Sequence, residues 1–326
     1  MSKIKVSSGF MALKFLLFKY KDIVVVYDRN VKDYALKLAG NGRPSLAITA
    51  DEAHKTMDSV MEICRWLLEN GADRKTLVLA VGGGTTTDIV GFASSIYKRG
   101  VRYANIPTTL LGMVDAAIGG KTGVNLDNFK NMLGVIREPE FTYINMETLR
   151  TLPEREFRSG AAEMLKTFII SDSSRYEQAL KIVGLPVPDY EALTPLVEAA
   201  AKAKRRIVGK DLYDNDKRRV LNLGHTWAHA IEWWQHATSA PDPYTHGEAV
   251  AIGIVQAAVF SENQGVAREG LASKIKADFE YCGLPTALPC GEDDLKKAFD
   301  RDKKREGGKL NYVLIKSIGS VIVKKI

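Results

Sequence analysis

Cysteine is scarce: Cys64, Cys282 and Cys290 are the three in 326 residues. An odd number without paired spacing argues against a disulfide framework and a cysteine-based zinc site, and points to a reducing compartment. Long apolar runs are missing too. Residues 10–20 come nearest, and Lys14 and Lys19 interrupt them. That run is too short to span a bilayer, and no small-residue cleavage site follows it. The chain therefore reads as cytoplasmic, with no membrane partner. Internal repeats and low-complexity tracts are absent as well. Charge is not strongly one-sided, with 46 Lys and Arg against 39 Asp and Glu and a net charge of +7. The basic residues are scattered, and the densest run, Arg301-Asp-Lys-Lys-Arg305, is broken by an acid. A basic surface suits nucleic acid, but no nucleic-acid-binding motif accompanies it. A small phosphorylated or carboxylated substrate explains the excess equally well.

What is present is the composition of a globular protein, 45% apolar and 26% charged, long enough for two cores. Residues 23–27 are a β-branched run that reads as a buried strand, and Asp28 stands at its carboxyl end, where open α/β sheets bind ligands. A helix is expected over 31–39, a strand over 45–49, and a helix from Asp51, as N-cap, to about residue 70. Glu52 and Lys55 then read as its solvated first turn. A strand over 76–81 runs into Gly82-Gly-Gly84-Thr-Thr-Thr-Asp88, followed by a helix over 89–98. Strand, glycines and helix N-terminus together suit a nucleotide phosphate. A strand over 103–106, a helix over 110–118, and a loop bearing Lys121, Asn125, Lys130 and Asn131 come next, and residues 144–149 lead back towards the sheet. The loop suits an anion or is plain surface. Alternating strands and helices imply a Rossmann-like, mostly parallel α/β domain over 1–155.

Beyond Pro153 helical periods dominate, over 154–170, 190–208, 220–234, 247–263, 271–281 and 293–299. Strand signals return only at 310–315 and 320–324. An all-α domain is expected over 156–326. Glu163 lies in an apolar helix, where a carboxylate needs a partner, and a metal ion is one. In Leu221-Asn-Leu-Gly-His-Thr-Trp-Ala-His229, His225 and His229 are four apart and share a helix face. His246 follows, and with His236 four of the five histidines fall within 22 residues. A metal or proton-transfer site is the natural reading, and satisfied core histidines are the plain one.

Six motifs stand in order: Gly82 to Asp88, Ile106-Pro-Thr-Thr-Leu-Leu111, Gly119-Gly-Lys-Thr-Gly-Val-Asn125, Glu163-x-x-Lys166, Leu221-Asn-Leu-Gly-His-Thr226 and His246-Gly-Glu-Ala-Val250. Over residues 23–315 they closely resemble the 3-dehydroquinate synthase family of sugar phosphate cyclases. The resemblance implies an NAD-dependent, phosphate-eliminating cyclase of the shikimate pathway, a homodimer with zinc or cobalt. Its substrate would be a phosphorylated sugar acid, 3-deoxy-D-arabino-heptulosonate 7-phosphate. It implies Glu163, His225 and His246 as metal ligands, which takes His229 out of the ion's shell and places it near the leaving phosphate. It implies Asp28, Glu52, Lys55, Gly83, Gly84, Asp88, Thr108, Thr109, Lys121, Lys130, Thr148 and Thr151 for NAD. Catalytic roles fall to Lys121, Lys166, Lys204, Arg218, Asn222 and His229, and substrate contacts to Asp115, Asn131 and Lys303. Arg99 would reach across the dimer into the partner's pocket. The chain departs from the family at Thr87, where glycine is usual before Asp88, and in a longer, Pro- and aromatic-rich connection over 233–245. Sister cyclases of the aminodehydroquinate or deoxy-scyllo-inosose type and metal-dependent polyol dehydrogenases share the architecture. Lys204, Arg218 and Asn222 favour a carboxylate-bearing substrate.

Overall fold

A computed structural model describes residues 2–40, 42–127, 129–295 and 311–325. The chain divides into two compact units, Met1–Pro153 and Glu154–Ile326. The first holds β1 (Lys3–Ser7), α1 (Met11–Leu17), β2 (Ile23–Asp28), α2 (Lys32–Ala39), β3 (Ser45–Ile48), α3 (Met57–Glu69), β4 (Leu77–Gly82), α4 (Gly84–Ile96), β5 (Arg102–Pro107), β6 (Lys121–Leu126), β7 (Phe129–Ile136) and β8 (Phe141–Asn145). Six strands form one sheet in the order β1-β8-β5-β4-β2-β3, and every pairing in it is parallel. Successive residues of β2 supply opposite faces. Val24 and Val26 pack with Val60, Ile63 and Ile89 of α3 and α4, whereas Ile23, Val25 and Tyr27 pack with Leu13, Leu17 and Leu38 of α1 and α2. Both faces are covered, so this strand is apolar without alternation.

The structure corrects several local expectations. The helix expected from Asp51 begins at Met57, and Thr56 is its N-cap. The Asp51 carboxylate instead closes a turn onto the backbone N–H of His54. α4 starts at Gly84, so Thr87, where the family usually has glycine, is helical without a positive φ, its hydroxyl donating to the Gly84 carbonyl at 2.9 Å. The helix expected over 110–118 is present but shorter, and its wide π-type turn covers Gly112–Ala116. The loop expected at 121–131 is an antiparallel hairpin, β6 on β7. After β8, residues 146–151 form a 3-10 turn rather than more strand.

The second unit contains α5 (Glu154–Ser171), α6 (Ser173–Val183), α7 (Tyr190–Val208), α8 (His225–Ala237), α9 (His246–Asn263), α10 (Leu271–Tyr281) and the antiparallel hairpin β9 (Asn311–Ser317) and β10 (Ser320–Lys325). It is helical apart from that hairpin. α6 was not legible in the sequence. The helix expected over 293–299 leaves the described residues after Leu295, as does Lys303. α5 and α9 are buried on nearly every side, as their apolar sequences require. No helix among the described residues is long and apolar enough to cross a membrane.

Candidate active site

In the second unit, close backbone approaches bring three helices together. Gly247 follows His246 at the start of α9, and a Cβ there would lie 2.0 Å from the Ser159 carbonyl of α5. The Gly247 N–H also donates to the Ser159 hydroxyl at 3.1 Å. Gly224, before His225, has φ +78°, and a Cβ on it would meet the Ile254 nitrogen of α9 at 2.9 Å. Only glycine accepts that conformation and that proximity cheaply. Thr245 and Glu248 form a reciprocal capping box that fixes His246 as the first residue of α9. Arg155 of α5 grips Glu248 at 2.9 Å, Asp242 at 2.8 Å and the Pro243 carbonyl at 2.8 Å. Gln235 closes the same connection by donating to the Tyr244 carbonyl and accepting its N–H.

These supports converge Glu163, His225 and His246. One ligand atom from each lies within 4.8 Å of the others. Glu163 Oε1 is 3.8 Å from His225 Nε2 and 3.4 Å from His246 Nε2. Lys166 Nζ stands 2.6 Å from Glu163 Oε2 and donates to the Leu221 carbonyl at 2.8 Å. Neither fully buried Glu163 oxygen has a partner in hydrogen-bond geometry, an arrangement costly by itself and natural around an ion. Burial would raise the Glu163 pKa, but the Lys166 ammonium and both imidazoles hold it well below the carboxylate range. Burial and then Lys166 push His225 down to about 3. For His246, burial is outweighed by the Glu163 and Glu232 carboxylates, which raise it to about 10. The far nitrogens are anchored, His225 Nδ1 by the Leu223 carbonyl at 3.1 Å and His246 Nδ1 by Glu232 Oε1 at 3.1 Å. Each imidazole thus presents Nε2, and two His with one Glu is a donor set suited to a catalytic zinc.

His229 lies one turn beyond His225, exposed, the two rings 5.6 Å apart and edge-on. It is not part of the converging triad, so the i, i+4 spacing does not mark the pair that meets Glu163. Lys166, Lys204 and Arg218 are buried at 1%, 7% and 4% exposure. Arg218 donates to the Leu212 carbonyl at 2.9 Å. It sits in the turn Lys217–Asn222, on which α5 and α7 both pack, and Asn222 ends that turn exposed.

The first unit gathers a second group. The N-terminus of α4 has Gly83 as N-cap and no side-chain cap, and the buried Thr86 hydroxyl beside it has no hydrogen-bond partner among the described residues. A Cβ on Gly84 would press to 2.8 Å on Ala116. Such a cradle fits a dinucleotide phosphate. Burial and then Asp51 raise the pKa of Asp28, although the Asn30 N–H bonded to it pulls the other way. Lys55 is buried rather than solvated, with Nζ 2.7 Å from Asp88 and 2.6 Å from Asn131. Asn125, which sequence reasoning left without a role, links Glu52 at 2.8 Å to the Asn131 N–H at 2.9 Å. Asn131, expected near substrate, is thus joined to the residues expected near NAD. Lys121 and Lys130 are exposed on the hairpin, and Asp115 is half-buried in the wide turn. Thr108 is buried, and Thr109 accepts the Gly112 N–H at 3.1 Å. The Thr148 and Thr151 hydroxyls donate within their own 3-10 turn, to Asn145 and Thr148. Arg99 is exposed at φ +63°, next to Lys98 at φ +48°.

Comparison with known proteins matches the chain in two parts. The family profile for the 3-dehydroquinate synthase N-terminal region matches residues 45–159, and that for the C-terminal region matches 160–305. The 3-dehydroquinate synthase of Acidithiobacillus ferrooxidans (strain ATCC 53993 / BNL-5-31) is 42% identical over 92% of this chain and 84% of its own. That of Legionella pneumophila (strain Corby) is 38% identical over 93% and 83%. Among solved structures, 2-epi-5-epi-valiolone synthase from Streptomyces hygroscopicus subsp. jinggangensis 5008, with NAD+ and Zn2+ bound, superposes with TM-score 0.90 at 28% identity over 99% of this chain and 92% of that one. A 2-deoxy-scyllo-inosose synthase complexed with carbaglucose-6-phosphate, NAD+ and Co2+ gives TM-score 0.86 at 23% identity over 99% and 93%, a likeness of fold.

Proposed function

Because the chain belongs to the 3-dehydroquinate synthase family, we propose that it converts 3-deoxy-D-arabino-heptulosonate 7-phosphate to 3-dehydroquinate and phosphate. The route is transient oxidation, phosphate elimination, re-reduction and aldol closure. The observation that carries the reading is the convergence of Glu163, His225 and His246 on one point. These three would hold zinc or cobalt, and the first unit, through the α4 cradle with Asp28, Glu52, Lys55, Asp88, Thr108, Thr109 and Lys130, would hold NAD. When bound, the ion supplies Lewis acidity and NAD a hydride acceptor that is regenerated within the turnover.

The chain's own residues supply binding and charge. Lys166, Lys204 and Arg218, cations withdrawn from water, offset substrate phosphate and carboxylate, the latter suited to a bidentate guanidinium. Lys121, Asn222 and Asp115 complete the substrate contacts. His229, on the His225 face of α8 and open to solvent, holds the proton exchanged with the leaving phosphate. The phosphate itself serves as base in the elimination, so no protein base is assigned. Three free thiols fit a cytoplasmic setting.

A second reading, a sister cyclase acting on a sugar phosphate without a carboxylate, is favoured by the likeness to the valiolone synthase fold. Phosphate release separates the two. The heptulosonate phosphate should release phosphate only with both NAD and a divalent ion, with no net NADH. Release only from a sugar phosphate that lacks a carboxylate would overturn the carboxylate-bearing substrate, and accumulating NADH with a simple polyol would make the chain a dehydrogenase.

A further inference from the structure

We infer that Glu232 is a positioning residue of the metal centre, fixing His246 and supplying the second buried negative charge that a divalent ion there requires. The inference rests on the metal-binding reading above and adds a residue that neither the motifs nor the triad includes. Glu232 lies seven residues after His225, so His225, His229 and Glu232 occupy one face of α8 at helical spacing. It is 8% exposed. Its Oε1 stands 3.1 Å from Nδ1 of His246, which belongs to α9. A carboxylate there accepts the Nδ1 proton, commits the tautomer, and leaves Nε2 facing Glu163 Oε1 at 3.4 Å.

The two imidazoles are supported unequally. His225 leans on a neutral carbonyl, that of Leu223, and His246 on an anion. Charge explains the difference. Glu163 already faces the Lys166 ammonium at 2.6 Å, so a divalent ion beside this pair leaves two uncompensated positive charges in a buried site. Glu232 removes one of them. Uncompensated buried charge is expensive, and the residual positive charge suits an anionic substrate.

The test measures zinc affinity of the full chain by chelator competition, for wild type, Glu232→Gln and Glu232→Ala, with the visible spectrum of the cobalt-loaded protein. Glu232→Gln keeps the shape and loses the charge, and should bind zinc about tenfold more weakly. Glu232→Ala should approach about a hundredfold, the span seen for outer-shell partners. The cobalt bands should shift in both, a change at the ion that a loss of fold stability alone would not produce. Wild-type affinity and spectrum in Glu232→Gln would overturn the inference and leave the metal centre standing. A wild-type chain that binds neither zinc nor cobalt would overturn both.

Discussion

His246, flanked by Glu163 and Glu232, is held as an imidazolium until about pH 10, whereas His225 stays neutral down to about pH 3. Loading an ion at pH 7 must therefore expel about one proton per site. Calorimetry in two buffers of different ionisation enthalpy measures it, and a count near zero would contradict the charge state. The same shifts set the metal-free chain's stability. The raised His246 stabilises below the ordinary imidazole value of 6.5, and that contribution is lost as pH rises through about 10. The depressed His225 acts oppositely, so stability falls as pH drops from 6.5 towards about 3. Denaturant midpoints of His225→Gln should lose that acid limb. The residues themselves declared a histidine-rich site, but not its membership. Spacing favoured His229, and the family resemblance assigned Glu163 and His246. Glu232 stayed hidden because its partner lies on a different helix, beyond any periodicity.

Among the elements, the start of α9 is the most constrained. Gly247→Ala would set a methyl 2.0 Å from the Ser159 carbonyl, a backbone atom that cannot swing aside. Overpacking of this kind costs about 1–3 kcal/mol, and the displaced helix start carries His246 with it. The variant should melt lower and bind zinc more weakly; an unchanged affinity would show that α9 slides without moving its first residue. Elements with dense burial were legible: α7 and α10 fall at the expected bounds, and β2 and β4 within a residue. The β6–β7 hairpin was not, because Gly123, Asn125, Lys130 and Gly134 dilute its strand signal and much of it faces solvent. α6 opens on Ser173 and Ser174 and buries only Tyr176, Ala179, Leu180 and Val183, a stripe too short to stand out.

At the scale of the molecule, the family resemblance implies that Arg99, in its left-handed turn, would serve the active site of a second copy. Arg99→Ala and Lys204→Ala should each be inactive alone. Co-expressed, random pairing leaves one intact site in each mixed dimer, so phosphate release should recover to about a quarter of wild type. No recovery would confine Arg99 to its own subunit. One more property follows from the pairing of β1 with β8. Lys3 aligns with Phe141 and Ser7 with Asn145, so β1 leaves the ribosome more than 130 residues ahead of the strand it pairs with. During synthesis β1 waits for β8, and the described sheet is finished only when β8 fills the place between β5 and β1.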